Sequence, residues 1–532
     1  MKKALLAVGV LLLLLVVLVL LLPFVVDLNA YQAHYRPLIE EALNRKVRLK
    51  DIRLTIFPRL GVRLADFTVM DDPAFSAGPF ASLTSLDVGV KLRPLLSKRV
   101  EVEEIILRNP VLTIINNQHG ALNISTLGQP GPKQPAPAIP PPPAQGPLRV
   151  FALLAVEKLS LTGGQVTFID QSASKPADYR LQNLELRLSE VGLGKTAALR
   201  LAATLQPLHV PLTVDGTFGP LQESLDMKTI ALDVALGKTA LTVTGGSVGG
   251  KTTLAITAPV INTADLPVAL PFRKPMQAKD LRMVVDVTPP QVRLTTLSAN
   301  FFGGRLVVQG RLTTGANAAP FSGTITMQGV QLGPLLEAAG TDRVSITGTA
   351  ASELALQGRG VSMPELTRAL AGTGHLIVKD GTIEGINLLK EAVVLLNAVG
   401  VTQDLAKATV FSIIETTLAI KRGSITVERL QMDSQDFQTT ATGTIGFDKT
   451  LRLNATLTLS EALSWRIAGA SPVVAQIAMT HGRLVVPMII RGTVQAPSYA
   501  LDTKALGGTV QEKLTEQAKE KLGETLRKLF GQ

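Results

Sequence analysis

The feature that most constrains this chain is an alternation of apolar and polar residues that runs through most of its length. It is clearest at residues 451–460, where one set of alternate positions is apolar and the other set is Arg, Asn, Thr, Thr and Ser. The apolar set is Leu451, Leu453, Ala455, Leu457 and Leu459. Successive side chains of a β-strand point to opposite faces, so this segment predicts a strand with one apolar and one polar face.

The same period of two recurs in other parts of the chain. It is found at 47–56, 62–69, 86–92 and 111–115, and then from residue 149 to about residue 500 with few interruptions. A loose repeat of glycine, threonine and an apolar residue begins at Gly216, Gly323, Gly381, Gly443 and Gly492. We interpret these glycines as strand starts or bends. The pattern predicts a mainly β protein with a meandering antiparallel sheet.

A different pattern precedes these strands. Residues 4–26 carry no charge, and they are flanked by Lys2 and Lys3 on one side and by Asp27 on the other. At about 1.5 Å per residue, a helix of this length spans roughly 34 Å, which is enough to cross a bilayer core of about 30 Å. A cleaved signal peptide is the alternative, but its apolar region is normally shorter. We therefore expect a single-pass anchor with a cytoplasmic N-terminus and the remaining chain across the membrane.

Composition narrows the possible functions. The 532 residues include no cysteine, which excludes disulfides, thiol catalysis and thiolate metal sites. The formal net charge is +11, yet the lysines and arginines are scattered and only 4% of residues are aromatic. We therefore expect no nucleic-acid partner. Attraction to anionic lipid head groups and simple solubility both remain open as uses of the charge.

The chain divides into five predicted regions. Nine prolines within residues 128–147 indicate an extended linker or surface loop, because proline donates no backbone hydrogen bond. Helical periodicity predicts a helix at 31–45, helical interruptions near 363–371 and 386–408, and a charged C-terminal helix. The regions are an anchor (1–26), an N-terminal module (27–127), the linker (128–147), a β body (148–502) and the C-terminal helix (503–532).

Several motifs, taken in order, resemble the AsmA family. Segment 366–388 contains an xDGxIxGxxL pattern formed by Asp380, Gly381, Ile383, Gly385 and Leu388. Near the N-terminus, an NP strand begins at Asn109 and is followed by a GxxN turn that ends at Asn123. The strands of 411–447 and 486–497 also resemble the family's C-terminal region, which we place at 366–502. Where the family usually has an aromatic residue after the turn asparagine, this chain has Ile124.

The resemblance implies an inner-membrane protein of a Gram-negative bacterium, with a periplasmic body and a role in outer-membrane biogenesis. It further implies an elongated, curled antiparallel sheet whose apolar groove carries phospholipid between the two membranes. The alternating strands agree, because an extensive apolar sheet face must close on itself, pair with a second sheet or be covered by lipid. The alternative is a structural factor that carries no lipid and influences outer-membrane protein assembly, with outer-membrane assembly factors as its expected partners.

The residues that we expect to line the groove lie on three neighbouring strand segments. A one-residue error in register would exchange the two faces, so the assignment depends on the pairing. The candidates are Leu451, Leu453, Leu457, Leu459, Ile425, Val427, Ile445 and Phe447.

Catalysis is the hypothesis from another class of function. The histidines occur singly, without metal-ligand spacing, and no nucleophile elbow or phosphate-binding loop is present in the right context. We interpret His375 as an ordinary strand histidine and Asp380 as a turn residue. We expect no enzymatic activity, no metal and no cofactor.

Overall fold

The computed structural model describes most of the chain between residues 28 and 505. The described ranges are 28–57, 59–97, 99, 101–117, 121–128, 156–171, 177–224, 226–266, 272–314, 319–340, 345–360, 363–396, 408–470, 474 and 478–505. The predicted anchor, nearly all of the linker and nearly all of the C-terminal helix lie outside them. Within these ranges, no helix combines the length and the apolar character needed to cross a bilayer.

The described chain is mainly β, as its alternation predicts. The strands are β1 Val47–Arg48, β2 Asp51–Thr55, β3 Gly61–Met70, β4 Pro79–Val90, β5 Val102–Arg108, β6 Val111–Asn116, β7 Lys158–Asp170, β8 Ala177–Ser189, β9 Ala197–Gln206, β10 Val210–Leu221, β11 Met227–Leu236, β12 Thr239–Val248, β13 Lys251–Asn262, β14 Gln277–Thr288, β15 Gln291–Phe301, β16 Gly304–Thr313, β17 Phe321–Gln331, β18 Thr349–Gly358, β19 Ala371–Ile383, β20 Thr409–Lys421, β21 Ser424–Asp433, β22 Phe437–Gly446, β23 Thr450–Leu459, β24 Met479–Thr480, β25 Arg483–Thr493 and β26 Ala496–Leu501.

The helices are short. The α-helices are α1 Gln32–Leu43, α2 Leu92–Leu96, α3 Leu332–Ala339, α4 Met363–Ala369, α5 Leu388–Leu395 and α6 Glu461–Ala470, and 3-10 turns occur at Leu28–Tyr31, Asn123–Thr126 and Thr263–Asp265. The predicted helices at 31–45 and 363–371 are confirmed within two residues at each end. The predicted helix at 386–408 is present as α5 from Leu388 to Leu395. Residues 397–407 lie outside the described residues.

The chain forms two compact units. Unit 1 comprises residues 1–268, 281–293 and 314–317, and unit 2 comprises 269–280, 294–313 and 318–532. Strands β1–β13 therefore belong to unit 1, and β16–β26 belong to unit 2, whereas β14 and β15 each contribute residues to both units.

In unit 1 most strands pair antiparallel with the next strand along the chain, but β7 is an exception. It pairs in parallel with both β5 and β6 and antiparallel with β8. A parallel connection needs a dozen or more residues, and the chain between β6 and β7 is longer than that. The sheet therefore continues from the predicted N-terminal module into the predicted body, so the proline-rich segment does not separate two folded bodies.

A buried polar cluster joins α1 to this sheet. The Asn123 side chain is fully buried; it donates to Asp71 Oδ2 at 2.8 Å and accepts from the Ile115 backbone N–H at 3.0 Å. The Arg45 guanidinium, 6% exposed, donates to the Asn123 backbone carbonyl at 3.0 Å and to Thr126 Oγ1 at 2.6 Å. Asn123 and Thr126 therefore tie the end of α1 to the strands, while the neighbouring Ile124 is 41% exposed.

Within unit 2 the strands from β16 to β26 form an antiparallel ladder, in which β23 pairs with β25. Two of its helices, α3 and α6, lie where the strand pattern predicted no helix. The start of α6 is set by Ser460, whose backbone carbonyl accepts the Ser464 N–H at 2.8 Å. Leu463, Ile467 and Ala468 then recur at helical spacing and are all buried.

The repeated glycines lie inside strands, so of our two interpretations, strand starts or bends, the first does not hold. Gly216 is in the middle of β10 with φ 154°, and Gly443 is in the middle of β22 with φ 144°. At both positions an added Cβ would meet a backbone carbonyl of the neighbouring strand. Glycine is required there because the two strands approach each other closely.

Candidate functional site: an apolar sheet face

The alternation predicted for β23 is present in the structure. Leu457 and Leu459 are buried, and Leu451 and Leu453 on the same face are half-buried, whereas Arg452 and Asn454 are exposed. The register brings most of the candidate residues together on one face. Ile425 pairs with Ile445 and Ile445 with Leu451, while Val427 pairs with Gly443 and Gly443 with Leu453. Phe447 lies one residue beyond the end of β22 and is 37% exposed.

One end of this face is closed by helices. Leu457 and Leu459 pack in a large cluster with α5 and α6, in which Ala392, Val393 and Ile467 are fully buried. One polar contact ties α6 to β25, and another caps the start of α5. Ser464 Oγ accepts the Leu484 backbone N–H at 2.9 Å, and Asn387 Oδ1 accepts the Lys390 N–H at the start of α5 at 2.7 Å. The candidates Leu457 and Leu459 therefore lie in a packed core.

At the other end of the face the clustered residues all lie on strands, and Glu391 of α5 lies near Tyr499. Leu451, Leu453 and Tyr499 pack, half-buried, against the buried Ala441, Ala455 and Ile490. Burial in this apolar surrounding, assisted by the Glu391 carboxylate, raises the pKa of Tyr499 to about 12. Leu453 pairs with Ile490, and Ile490 pairs with Tyr499, so the surface continues to the last strand. We call this part of the face, Ile425, Ile445, Leu451, Leu453 and Tyr499, the open end.

Unit 1 carries a longer apolar face that we did not single out from the sequence. One row of apolar side chains crosses ten strands in register, each residue opposite the next. Its members are Ile52, Leu64, Leu86, Leu107, Leu161, Leu186, Leu201, Val214, Val234 and Leu241. All except Ile52 are half-buried.

A second row runs beside the first, two residues away on each strand and always on the same side of the first row. It consists of Leu54, Val62, Val88, Ile105, Leu159, Leu188, Leu199, Gly216, Leu232, Val243 and Ile256. Between residues 177 and 262 the described chain is all strand and turn, so no helix from that stretch covers these rows. The leucines and valines that alternate through 199–243 were a sequence signal for this face, but the rows depend on the pairing.

The opposite face of the same strands is polar. Arg200 is exposed and forms an ion pair with Asp215 of the neighbouring strand, Nε to Oδ2, at 2.9 Å. Asp233, which pairs with Asp215, accepts from Thr242 Oγ1 at 3.1 Å. The sheet of unit 1 is therefore amphipathic, with charged pairs on one side and continuous hydrocarbon on the other.

The residues considered for catalysis are exposed or have a structural role. The His375 ring nitrogen Nε2 lies 3.1 Å from Glu415 Oε1, with both side chains about half exposed. Asp380 lies within β19 with φ 52°, a left-handed conformation that aspartate tolerates better than most residues. In the described ranges, no three His, Asp or Glu side chains come together in a way that could hold a metal ion.

Comparison with known proteins agrees with the motif order. A model of the AsmA family matches residues 1–242 and 274–430, which is well over half of the chain. The chain belongs to the AsmA family. A search of curated proteins and a search of solved structures each found no match.

In this AsmA-family protein the matched residues include the rows of unit 1, except Val243 and Ile256, and the buried Asn123 cluster. They also include the xDGxIxGxxL segment and the candidates Ile425 and Val427. The remaining candidates and the strand at 486–497 lie beyond the matched ranges.

Proposed function

We propose that this AsmA-family protein binds phospholipid on its apolar sheet faces and conducts it between the inner and the outer membrane. The observation that carries the proposal is the pair of apolar rows in unit 1. At about 4.8 Å per strand, a row across ten strands extends roughly 43 Å. Around Ile105 the rows pack against the buried Val156, but from Leu186 to Leu241 they are only half-buried within the described chain. Soluble proteins rarely leave such an apolar strip without a covering partner, and acyl chains are a partner of matching chemistry.

The geometry of the strip favours lipid over a small ligand. The rows run across the strands, so a chain lying along them would meet one apolar side chain from each successive strand. The charged pairs on the opposite face keep that side in water. The proposed location is the inner membrane, with the predicted anchor at 4–26 crossing it once and the body in the periplasm.

The helix-covered end of unit 2 favours a second function. A face closed by α5 and α6 is a packed interior, and a structural factor that assists outer-membrane protein assembly needs only such a fold. The two functions differ in whether lipid contacts the apolar rows, so one experiment on the rows discriminates between them.

The test compares two neighbouring residues on opposite faces of β9. A photoreactive benzophenone amino acid replaces Leu201 on the apolar face, or Arg200 on the polar face, in the full-length protein in cells. After irradiation, cross-linked phospholipid is detected on the purified protein by a radioactive phosphate label. We expect cross-links at Leu201 and almost none at Arg200. Equal labelling at both positions, or none at either, would reject lipid conduction and leave the structural function.

A second measurement addresses occupancy. Residues 28–532, which omit the predicted anchor, are purified without detergent, and the extracted lipids are identified by mass spectrometry. We expect at least about one phospholipid molecule bound per protein molecule. A lipid-free preparation would contradict the proposal.

A further inference from the structure

One end of the strands in unit 1 exposes large apolar side chains next to cations. Phe57, in the connection between β2 and β3, is 88% exposed, and Leu92, at the start of α2 between β4 and β5, is 60% exposed. The two connections are neighbours, because the Val90 N–H donates to the Leu60 carbonyl at 2.9 Å. We call Phe57, Arg59, Leu92, Arg93 and Arg99 the Phe57 tip.

The charges of the tip are unevenly paired. Arg59 pairs with Glu103 and Glu104, and Lys91 pairs with Glu157 at 2.6 Å and with Glu101 at 3.8 Å. These pairs use the carboxylates of the neighbouring strand ends. Arg93 and Arg99 have no carboxylate partner in the part of the chain that the structure describes, and both are exposed. The tip therefore presents two apolar side chains flanked by unneutralised guanidinium groups.

The chain enters unit 1 on the same side. Asn29 holds the 3-10 turn at Leu28–Tyr31 against β2, accepting the Ile52 N–H at 2.9 Å, and Ile52 lies opposite Leu64 of β3. From there α1 runs towards β1, where Val47 lies opposite Val69 of β3. Because β3 begins at the tip with Gly61, α1 runs away from the tip. The first described residues, which lie beside Ile52 and Leu64, are within roughly 10 Å of the tip, measured along β3.

We propose that the Phe57 tip docks on the surface of a bilayer that contains anionic phospholipid. Phe57 and Leu92 insert at the boundary between head groups and acyl chains, and Arg93 and Arg99 meet lipid phosphates. The predicted apolar run ends at Val26, two residues before the described chain begins. The bilayer that this run would span is therefore the one nearest to the tip. In part the inference rests on the membrane attachment included in the proposed function. It does not require lipid conduction.

The chain offers a clean spectroscopic test, because Trp465 is its only tryptophan. In a Trp465→Phe background, Phe57→Trp places a reporter at the tip. The control, Leu208→Trp, places one in the turn between β9 and β10, at the opposite ends of the strands, where Leu208 is 42% exposed. Each full-length variant is reconstituted into vesicles of phosphatidylcholine and phosphatidylglycerol with brominated acyl chains, and circular dichroism verifies its fold.

We expect the tip reporter to lose most of its emission and shift to the blue, and the control reporter to change little. Adding Arg93→Glu and Arg99→Glu to the tip variant should restore most of the emission on these vesicles. If both reporters respond alike, quenched or unquenched, the docking surface is rejected. If the tip reporter is quenched while Leu201 forms no lipid cross-link, docking stands and lipid conduction fails.

Discussion

Leu457 of β23 lies directly opposite Val486 of β25, and neither side chain is exposed to solvent. Four residues earlier on the same strand and the same face, Leu453 lies opposite Ile490 and is only half-buried. A single apolar face thus contains a closed interior under α6 and an open end. This contrast provides a matched pair for mutation.

We predict that Leu457→Asp destabilises the protein far more than Leu453→Asp does. A carboxylate at Leu457 would be enclosed by the helix-covered cluster, so the loss should be about 4 kcal/mol or more, against about 1 kcal/mol at the open end. Urea unfolding followed by circular dichroism measures both. If Leu453 contacts lipid, Leu453→Asp also lowers the lipid recovered with the protein. Equal destabilisation by the two variants would contradict the division of the face.

Asn123→Ala should destabilise unit 1 strongly. The substitution removes the acceptor of the Ile115 N–H and the donor to Asp71 in a fully buried cluster. Unsatisfied buried groups should cost roughly 2–4 kcal/mol in the free energy of unfolding. The control is Asn300→Ala, which removes an exposed contact with Asp280 and should change stability by less than about 0.5 kcal/mol. A similar small effect at Asn123 would show that the cluster does not hold α1 to the sheet.

Gly443→Ala should weaken the sheet of unit 2, and Gly469→Ala should not. A Cβ at Gly443 would meet the Arg452 carbonyl, and φ 144° is unfavourable for alanine. Gly469 lies in α6, and beyond its chain neighbours and the nearby helix backbone no atom lies within 4 Å of an added Cβ. We expect a loss of about 2 kcal/mol or more at Gly443 and a gain of up to about 1 kcal/mol at Gly469, where alanine is the better helix former. Thermal unfolding of both variants tests this, and a stable Gly443→Ala protein would contradict the close approach of β22 and β23.

Stability should fall in acid partly through Asp87. Desolvation raises the pKa of this carboxyl, but hydrogen bonds and charge from Arg63 and Arg108 outweigh it, so the pKa is below its ordinary value. The folded state then binds fewer protons than the unfolded state. The Asp87 carboxylate therefore stabilises the fold above its pKa in the unfolded state, about 3.9. This contribution is lost as the pH falls through its lower pKa in the folded state. Asp87→Asn should lower the denaturation midpoint at pH 6 and flatten the decline between pH 5 and pH 2. An unchanged decline would show that other carboxylates account for it.

Local patterns predicted the strands well because the period of two is a property of the backbone alone. The apolar and polar faces of β23 follow directly from this period. Once the strands pair, the same period places Ile425, Ile445 and Leu451 on one face. The helix α6 was missed although Ser460 precedes it, Glu461 lies in its first turn and its alanines favour a helix. The alternation of β23 continues up to Ser460, and we extended the strand pattern beyond that point. The rows of unit 1 were also missed as a site, since a row exists only across strands.

The sequence by itself determined that this chain forms amphipathic strands, and the order of its motifs identified the family. Only the tertiary structure decided which residues of the apolar face are covered. Leu457 and Leu453 are indistinguishable in the pattern, yet one is buried by residues of α5 and α6 and the other is not. Likewise, the parallel pairing of β7 with β5 and β6 joined segments on either side of the proline-rich stretch. Burial and strand pairing depend on contacts between segments far apart in the chain, whereas alternation depends only on neighbouring residues.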